Sequence, residues 1–478
     1  MSPAQDIIMQ PSQSIETQKI RWPVHVEVRL KSRSTSRFDS IRTHVHAWIT
    51  AFDRINLSSS LDGWEDVPEL AASVERIVTS ESSCPFQSLP VDEMALQIHV
   101  YQPCDSDAFE EFSNSNSEDD DETMAATVRE LPNRSWEGLW NSLIYEDNIK
   151  MKLLDYIHAT LVLSDAEVDF NLVSWNRVVL LHGPPGTGKT SLCRALAQKL
   201  SIRLSQRYSH ARLLEINSHS LFSKWFSESG KLVQRLFSSI SELADEEDAF
   251  LVVLIDEVES LTAARASAMA GTEPSDGLRV VNALLTQLDK LKHRKNVLVM
   301  STSNLVKAID SAFVDRADIV QYIDLPPREA VYEILRTCLC EIINRGIVSS
   351  IDVPSLQQAL MYERTAPSQT STIISDGSDA HEKSEILGLR LLALATQCRA
   401  QKMSGRALRR LPVLALARYI SAGSIISPDP PEMKGRYNVN GSSTRASIGT
   451  SSSAEVDTWL SGMESVVTDQ GRQRECLL

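Results

Sequence analysis

The feature that most constrains this chain is the segment GPPGTGKT, residues 183–190, which directly follows a short apolar run at residues 176–181. It fits the pattern G-x-x-x-x-G-K-[ST] of the P-loop. Glycines let backbone N–H groups close around phosphates, and the helix that follows adds the positive end of its dipole. The pattern predicts a strand, a loop and a helix that together bind the phosphates of a nucleotide. The predicted contacts come from Gly183, Pro184, Pro185, Gly186, Thr187, Gly188, Lys189, Thr190 and Ser191.

The two last residues of the motif carry most of the expected chemistry. We expect Lys189 to reach the β- and γ-phosphates and Thr190 to bind Mg²⁺. ATP and Mg²⁺ are therefore the predicted cofactors. A Gly/Pro turn without function is the alternative, and the strand–loop–helix context strongly disfavours it.

A second segment supplies the acids that such a site needs. Residues 250–255 form a continuous apolar run, typical of a buried central strand, and the run ends in Asp256 and Glu257. Acids at the carboxyl end of a central strand lie beside the P-loop. We expect Asp256 to hold Mg²⁺, partly through water. We expect Glu257 to orient and polarise the attacking water.

A third apolar segment, residues 297–303, ends in Asn304. An amide at that strand end could hydrogen-bond both the attacking water and the γ-phosphate. A turn-forming asparagine would give the same pattern, so the residues alone leave the two interpretations equally open.

Composition changes along the chain indicate its domain organisation. The alternating residues 24–30 and 94–100 predict half-buried strands, and Trp48, Phe52, Trp64 and Leu70 are candidates for a core between them. Strands alternate with helices from residue 131, which predicts a mainly parallel sheet. The predicted parts are a disordered start at 1–20, a small α/β domain at 21–105, an acidic Ser/Asn-rich linker at 106–130, an α/β nucleotide domain at 131–325, a helical domain at 326–420 with a loop inserted near 365–380, a disordered Ser/Pro-rich segment at 421–454 and a closing helix at 455–478.

The charge balance and the cysteines exclude several protein classes. Lys and Arg number 48 and Asp and Glu 63, which gives a net charge of −15. A negative field repels phosphate backbones, so non-specific nucleic-acid binding is not the expected main activity. Apolar runs are much shorter than the roughly 20 residues of a membrane span, and the first residues lack the pattern of a signal peptide. The seven scattered cysteines predict reduced thiols in an intracellular protein.

Several segments resemble the pachytene checkpoint protein family, also called the thyroid receptor-interacting AAA+ ATPases. They are LLHGPPGTGKTSLC at 180–193, INSHSLFSKWFSESGKL at 216–232, LIDEVESLTAAR at 254–265 and FVDRAD at 313–318. The resemblance implies an α/β fold, with an AAA+ P-loop core, a small helical lid and a small α/β substrate-recognition domain before them. It also implies a homo-hexameric ring that partly unfolds HORMA-domain proteins, in some cases through a HORMA adaptor. The implied location is the nucleus and meiotic chromosomes, with the cytoplasm as a second site.

The same resemblance implies roles for further residues. Asn304 matches the sensor 1 residue, and Arg316 matches the arginine finger that reaches a neighbouring subunit's γ-phosphate; a surface ion pair is the alternative for Arg316. Arg406 matches sensor 2 on the lid, although Arg409 and Arg410 lie close by. The adjacent pair Trp225 and Phe226 matches the pore loop that grips substrate, with two core aromatics as the alternative. The tail after Ser421 and the 365–380 insertion are longer than the family pattern needs.

Two other functions share this core. A nucleic-acid motor or clamp loader is disfavoured by the net charge and by aromatics, rather than Lys and Arg clusters, at the pore position. A non-catalytic nucleotide switch is disfavoured because Lys189, Thr190, Asp256 and Glu257 are all present. An ATP-driven protein remodeller is the function that the sequence favours. The resemblance implies that it acts in meiotic chromosome-axis and recombination checkpoint control, with silencing of the spindle checkpoint as a second role.

Overall fold

The computed structural model describes residues 21–82, 84–105, 110–111, 126–146, 148–218, 229–260, 276–305, 309–365, 380–419 and 455–476. The disordered segments predicted at 1–20 and 421–454, and nearly all of the insertion predicted near 365–380, lie outside these residues. The chain divides into two compact units. The N-terminal unit runs to Asp105 and includes Ser201–Ser209, and the larger unit comprises the rest.

The N-terminal unit is built on a 3-stranded sheet. Its central strand β1 (Trp22–Leu30) pairs antiparallel with β3 (Val74–Thr79) and parallel with β5 (Met94–Tyr101). Helix α1 (Phe38–Ile49) packs on β5, and α2 (Pro68–Ser73) leads directly into β3. A small second sheet pairs β2 (Arg54–Asn56) with β4 (Ser88–Pro90).

Alternation in β1 places Val24, Val26 and Val28 wholly inside the core of the N-terminal unit, as the sequence predicts. Among the aromatic candidates, Trp64 is buried and Trp48 packs on the edge of the core. Phe52 is 41% exposed, so its assignment to the core was wrong. It lies beyond the end of α1, where its ring packs edge-on against Trp48 on the side open to water.

The larger unit is built on a 7-stranded sheet in the order β12-β8-β11-β10-β9-β7-β6. The strands from β12 to β9 are parallel, which is the arrangement predicted from the alternation of strands and helices. Buried apolar runs account for the central strands, since helices cover both faces. The bounds are β6 (Glu110–Glu111), β7 (Ala126–Leu131), β8 (Val178–His182), β9 (His210–Asn217), β10 (Ala249–Asp256), β11 (Val297–Ser303) and β12 (Ile319–Tyr322).

Part of the predicted linker at 106–130 belongs to this sheet. Strand β7 pairs antiparallel with β9 along its whole length, and β6 adds a short edge to β7. The linker prediction was therefore wrong at 110–111 and 126–130. Val128 and Ala126 are buried against the core, and this apolar alternation was masked by the neighbouring acidic run.

Helices complete the larger unit. Those of the nucleotide domain are α3 (Leu139–Ser142), α4 (Ile149–Asp165), α5 (Lys189–Arg203), α6 (Ser229–Ala244), α7 (Asp276–Leu291) and α8 (Ser311–Val314). The helical lid follows, with α9 (Arg328–Asn344), α10 (Leu356–Thr365), α11 (Ala380–Ala400), α12 (Gly405–Tyr419) and α13 (Val456–Glu475). Among the described residues, no helix is long and apolar enough to cross a membrane.

The closing helix α13 is an integral part of the lid. Its buried face contains Trp459, Leu460 and Met463, which pack into the core of the lid. On the adjoining surface, Arg390 of α11 pairs with Asp457 and with Glu464 of α13. The apolar spacing that predicted this helix is therefore the face that attaches the chain's end to the lid.

Candidate active site

The P-loop follows β8, and its glycines are required by close backbone contacts. Gly183 has a φ of +146°, and a Cβ there would lie 2.1 Å from the carbonyl oxygen of Ile323. Gly186 has a φ of +78°, and a Cβ there would lie 2.7 Å from Ser404 Oγ of the lid. A side chain at either position would push the loop away from β12 or from the lid. The glycines therefore set the distance between the phosphate loop and its surroundings.

Lys189 is buried within the loop that it terminates. Its Nζ donates hydrogen bonds to the carbonyl oxygens of Gly183 at 2.9 Å and Pro184 at 2.8 Å. Burial lowers the pKa of Lys189, while the nearby carboxylates of Glu259 and Asp256 oppose this effect. An ammonium placed inside a loop of backbone N–H groups is suited to bind β- and γ-phosphate oxygens.

Asp256, at the end of β10, is held by two hydroxyl groups. Thr190 Oγ1 donates to Asp256 Oδ1 at 3.0 Å, and Thr302 Oγ1 donates to the same oxygen. Two adjacent oxygen ligands of an octahedral Mg²⁺, each about 2.1 Å from the ion, are themselves about 3.0 Å apart. The hydroxyl and carboxylate oxygens of Thr190 and Asp256 therefore fit one Mg²⁺ in both spacing and chemistry.

Glu257 has an unusual backbone conformation. Its φ is +58°, in the left-handed region that costs a non-glycine residue about 1–2 kcal/mol. The turn is fixed by β11, because the Glu257 N–H donates to Thr302 Oγ1 at 3.3 Å and the Val258 N–H donates to the Thr302 carbonyl at 3.0 Å. Such strain is found most often at functional sites. The Glu257 side chain at this turn is exposed and follows Asp256 directly in the chain.

Asn304 follows β11, at the same edge of the sheet. Its backbone N–H donates to Glu259 Oε1 at 3.0 Å. Glu259 is 9% exposed and belongs to the first turn after β10. Glu259 was not among the predicted site residues, although an acid soon after Asp256-Glu257 was a visible signal.

The lid contributes Arg406 to the phosphate loop. The Arg406 N–H donates to the Gly186 carbonyl at 3.1 Å, and the positive charge of Arg406 lowers the pKa of Lys189. Arg409 instead donates to the Ser142 carbonyl, and Arg410 is exposed. Of the three neighbouring arginines, Arg406 is the one whose backbone bonds to the P-loop, which favours it for the sensor 2 role.

Comparisons with known proteins identify the family. Three family models match: the TRIP13 N-terminal domain at residues 19–106, the ATPase family associated with various cellular activities at 179–325, and the TRIP13-like AAA+ ATPase lid C-terminal domain at 327–428. Pachytene checkpoint protein 2 homolog from Danio rerio is 47% identical over 84% of this chain and 89% of that protein. The Homo sapiens homolog is 44% identical over the same shares. The solved structure of C. elegans PCH-2 is 30% identical, with a TM-score of 0.66, and covers 94% of this chain and 99% of that one.

The chain belongs to the pachytene checkpoint protein 2 family. Membership, together with the AAA model match, makes it an ATP-hydrolysing enzyme with an AAA core and lid. The resemblance first seen in the sequence is confirmed, and so is the α/β fold class.

In this family member, the P-loop opens into a cavity of about 430 Å³, within the range of small-molecule sites. Its apolar part was not predicted from the sequence. The lining includes Leu143, Ile144 and Tyr145, which precede α4, and Pro326, which precedes the lid. The Tyr145 hydroxyl donates to the Gly188 carbonyl at 3.5 Å, and burial raises the pKa of Tyr145. These residues follow no sequence motif, because residues that line an apolar cavity need no fixed spacing along the chain.

The remaining predicted site residues of this pachytene checkpoint family member are Arg316, Trp225 and Phe226. Arg316 forms an ion pair with Asp289, so the surface ion-pair alternative describes it within a single chain. Trp225 and Phe226 lie outside the described residues, and their pore-loop role stays a prediction.

Proposed function

We propose that this enzyme is a homo-hexameric AAA+ ATPase that uses ATP hydrolysis to unfold part of HORMA-domain proteins. Its proposed roles are meiotic chromosome-axis and recombination checkpoint control and silencing of the spindle checkpoint. The proposed locations are the nucleus and meiotic chromosomes, with the cytoplasm as a second site, and an adaptor is the proposed route by which some substrates arrive. The observation that carries the proposal is the 47% identity to a pachytene checkpoint protein 2 homolog over 84% of the chain.

The hydrolytic step is assigned to residues at one edge of the sheet. Lys189 binds the β- and γ-phosphates, and Thr190 and Asp256 hold Mg²⁺. When bound, Mg²⁺ neutralises charge on the phosphate oxygens. Glu257 accepts a hydrogen bond from the attacking water and orients it. Asn304 holds the same water from the neighbouring strand, and Arg406 binds phosphate from the lid.

The lid contacts offer a route by which hydrolysis becomes movement. Arg406 bonds to the P-loop through its backbone, and Ser404 packs against Gly186. A change of ligand at the P-loop therefore acts directly on α12, and through the packed lid core on α13. In the proposed ring, Arg316 acts on a neighbouring site, and Trp225 and Phe226 grip the substrate.

A nucleic-acid motor or clamp loader is the second candidate, and the net charge of −15 argues against it. The two functions are separated by the stimulation of ATP hydrolysis. Phosphate release is measured in separate reactions: with a HORMA protein in its closed, partner-embracing form, with single-stranded DNA, with double-stranded DNA, and with no addition. The Glu257→Gln variant gives the background rate. We expect stimulation by the HORMA protein alone. Stimulation by DNA and none by HORMA proteins would contradict the proposal.

A further inference from the structure

Glu259 is a buried carboxylate beside the hydrolytic residues that none of the assigned steps uses. It is 9% exposed, and its Oε1 accepts the backbone N–H of Asn304 at 3.0 Å. The bond joins the turn after β10 to the residue that follows β11, so it links the two strand ends that carry Glu257 and Asn304.

Sheet pairing by itself does not hold Asn304. The ladder between β10 and β11 ends at Ile255 and Ser301, and the bond from the Val258 N–H to Thr302 extends it by one step. On the other side, the Gly183 N–H donates to the Ser303 carbonyl at 3.2 Å. Asn304 lies past all of these bonds. Within the part of the chain that the structure describes, the hydrogen bond to Glu259 is the contact that fixes the backbone of Asn304.

Glu259 lies close to the buried side chain of Lys189. Among the charges that raise the pKa of Lys189, that of Glu259 has the largest effect. A buried carboxylate is costly unless it is paired and hydrogen-bonded, and here a cation and a backbone N–H both lie close. Glu259 therefore has two favourable contacts behind the phosphate site.

We propose that Glu259 is a positioning residue for ATP hydrolysis, whose carboxylate holds the backbone of Asn304 so that the Asn304 amide reaches the water and γ-phosphate. The proposal rests on the role assigned to Asn304 and does not depend on the substrate being a HORMA protein. A buried acid that served stability alone would leave the catalytic rate constant unchanged once the protein had folded.

The test compares four variants of the full chain, with ATP present and without a HORMA protein or DNA. They are Glu259→Ala, Glu259→Gln, Asn304→Ala and the double variant Glu259→Ala/Asn304→Ala. We measure kcat and KM for ATP, the Kd of a fluorescent ATP analogue, and Tm. Loss of the acceptor in Glu259→Ala should lower kcat about tenfold or more, with the nucleotide Kd changed less than about twofold. The amide oxygen of Glu259→Gln still accepts the Asn304 N–H, so its kcat should stay within about threefold of the unmodified protein.

Coupling between the two residues decides whether Glu259 acts through Asn304. The double variant should be no more than about twofold slower than Asn304→Ala alone. Glu215→Gln is the matched control, because Glu215 is a half-buried acid on β9 that pairs with Arg194 at 2.8 Å. Its kcat should change less than about twofold.

Several outcomes would overturn the inference. Two of them are equal kcat values for Glu259→Gln and Glu259→Ala, and multiplicative effects on kcat in the double variant. The others are a normal kcat for Asn304→Ala, and a Glu259→Ala variant whose Tm and nucleotide affinity fall while its kcat is unchanged. Because every measurement is made without a HORMA protein or DNA, failure here is distinct from failure of the proposed substrate class.

Discussion

Arg316 and Asp289 form a two-point ion pair in which each side chain presents its planar group to the other. Nε lies 2.9 Å from Oδ1 and Nη2 lies 2.9 Å from Oδ2, while Nη1 donates to the Ala312 carbonyl at 2.7 Å. An exposed pair contributes only about 0–1 kcal/mol to stability. Two parallel hydrogen bonds fix the orientation of the two planar groups relative to each other. The main effect of Asp289 is therefore to hold the Arg316 guanidinium in one orientation.

A role of Arg316 at the ATP site of a neighbouring subunit predicts how its variants behave. Arg316→Ala should bind ATP with normal affinity and hydrolyse it at least about tenfold more slowly, since the finger stabilises charge developing on the γ-phosphate. Mixing it with Lys189→Ala should restore part of the activity, because some sites in mixed rings pair an intact Lys189 with an intact Arg316. Phosphate release as a function of mixing ratio measures this.

The control for Arg316 is Arg345→Ala, which removes an exposed arginine that pairs with Glu341 one helical turn away. Its activity should be normal. Full activity of dilute monomers, or no recovery at any mixing ratio, would contradict a role across the subunit boundary.

Thr302→Val should slow hydrolysis and raise the Mg²⁺ concentration needed for half-maximal activity. Valine preserves shape but removes the hydroxyl that donates to Asp256 and accepts the Glu257 N–H. Changes to groups that orient metal ligands typically cost about 10–100-fold in activity or metal affinity. A Mg²⁺ titration of ATPase activity checks it. Thr286→Val is the control, because the exposed Thr286 hydroxyl donates to the Asn282 carbonyl of its own helix. An unchanged Mg²⁺ dependence in Thr302→Val would show that the hydroxyl does not orient Asp256.

The sequence predicts the P-loop, the strand-end acids and the helical lid because each depends on local patterns. Fixed spacing identified Lys189, and a buried run followed by acids identified Asp256. The contacts that orient these residues were not predictable in this way. Glu259 and Thr302 act through strand ends that are distant in sequence, and the left-handed turn at Glu257 follows from tertiary bonds.

The errors have equally local causes. Phe52 has the residue type of a core side chain, but its position after the end of α1 places it at the surface. Strand β7 was assigned to a linker because the acidic residues before it dominate the composition there, while the pairing with β9 that defines it is long-range.

Lys189→Ala and Glu257→Gln should separate binding from chemistry. Lys189→Ala removes a buried ammonium from the phosphate loop and should weaken ATP binding itself. Glu257→Gln keeps the side chain's shape, so ATP should still bind while turnover falls by about 10²-fold or more, the scale of a lost general base. Nucleotide binding and single-turnover hydrolysis measure the two effects. Near-normal hydrolysis by Glu257→Gln would show that another residue activates the water.

Changing both Trp225 and Phe226 to Ala should uncouple hydrolysis from substrate movement. Large aromatic side chains provide apolar contact with any unfolded segment. Their loss should therefore lower substrate-stimulated turnover and HORMA-protein opening together. Basal hydrolysis and ring assembly should persist. If the two residues are instead core aromatics, truncation should cost about 3–5 kcal/mol and lower Tm. Thermal melts alongside an opening assay distinguish these results, and a variant that melts and opens substrate normally would exclude the pore-loop role.

The most direct test of the whole account is the ATP-dependent opening of a purified, closed HORMA-domain protein. Release of a fluorescent peptide from the closed form is followed with the unmodified chain, with Glu257→Gln, and with a non-hydrolysable ATP analogue. The account predicts rapid release only when the unmodified chain and hydrolysable ATP are both present, with the adaptor added if release requires it. Equal release by Glu257→Gln, or none by an unmodified chain that hydrolyses ATP with substrate and adaptor present, would contradict it.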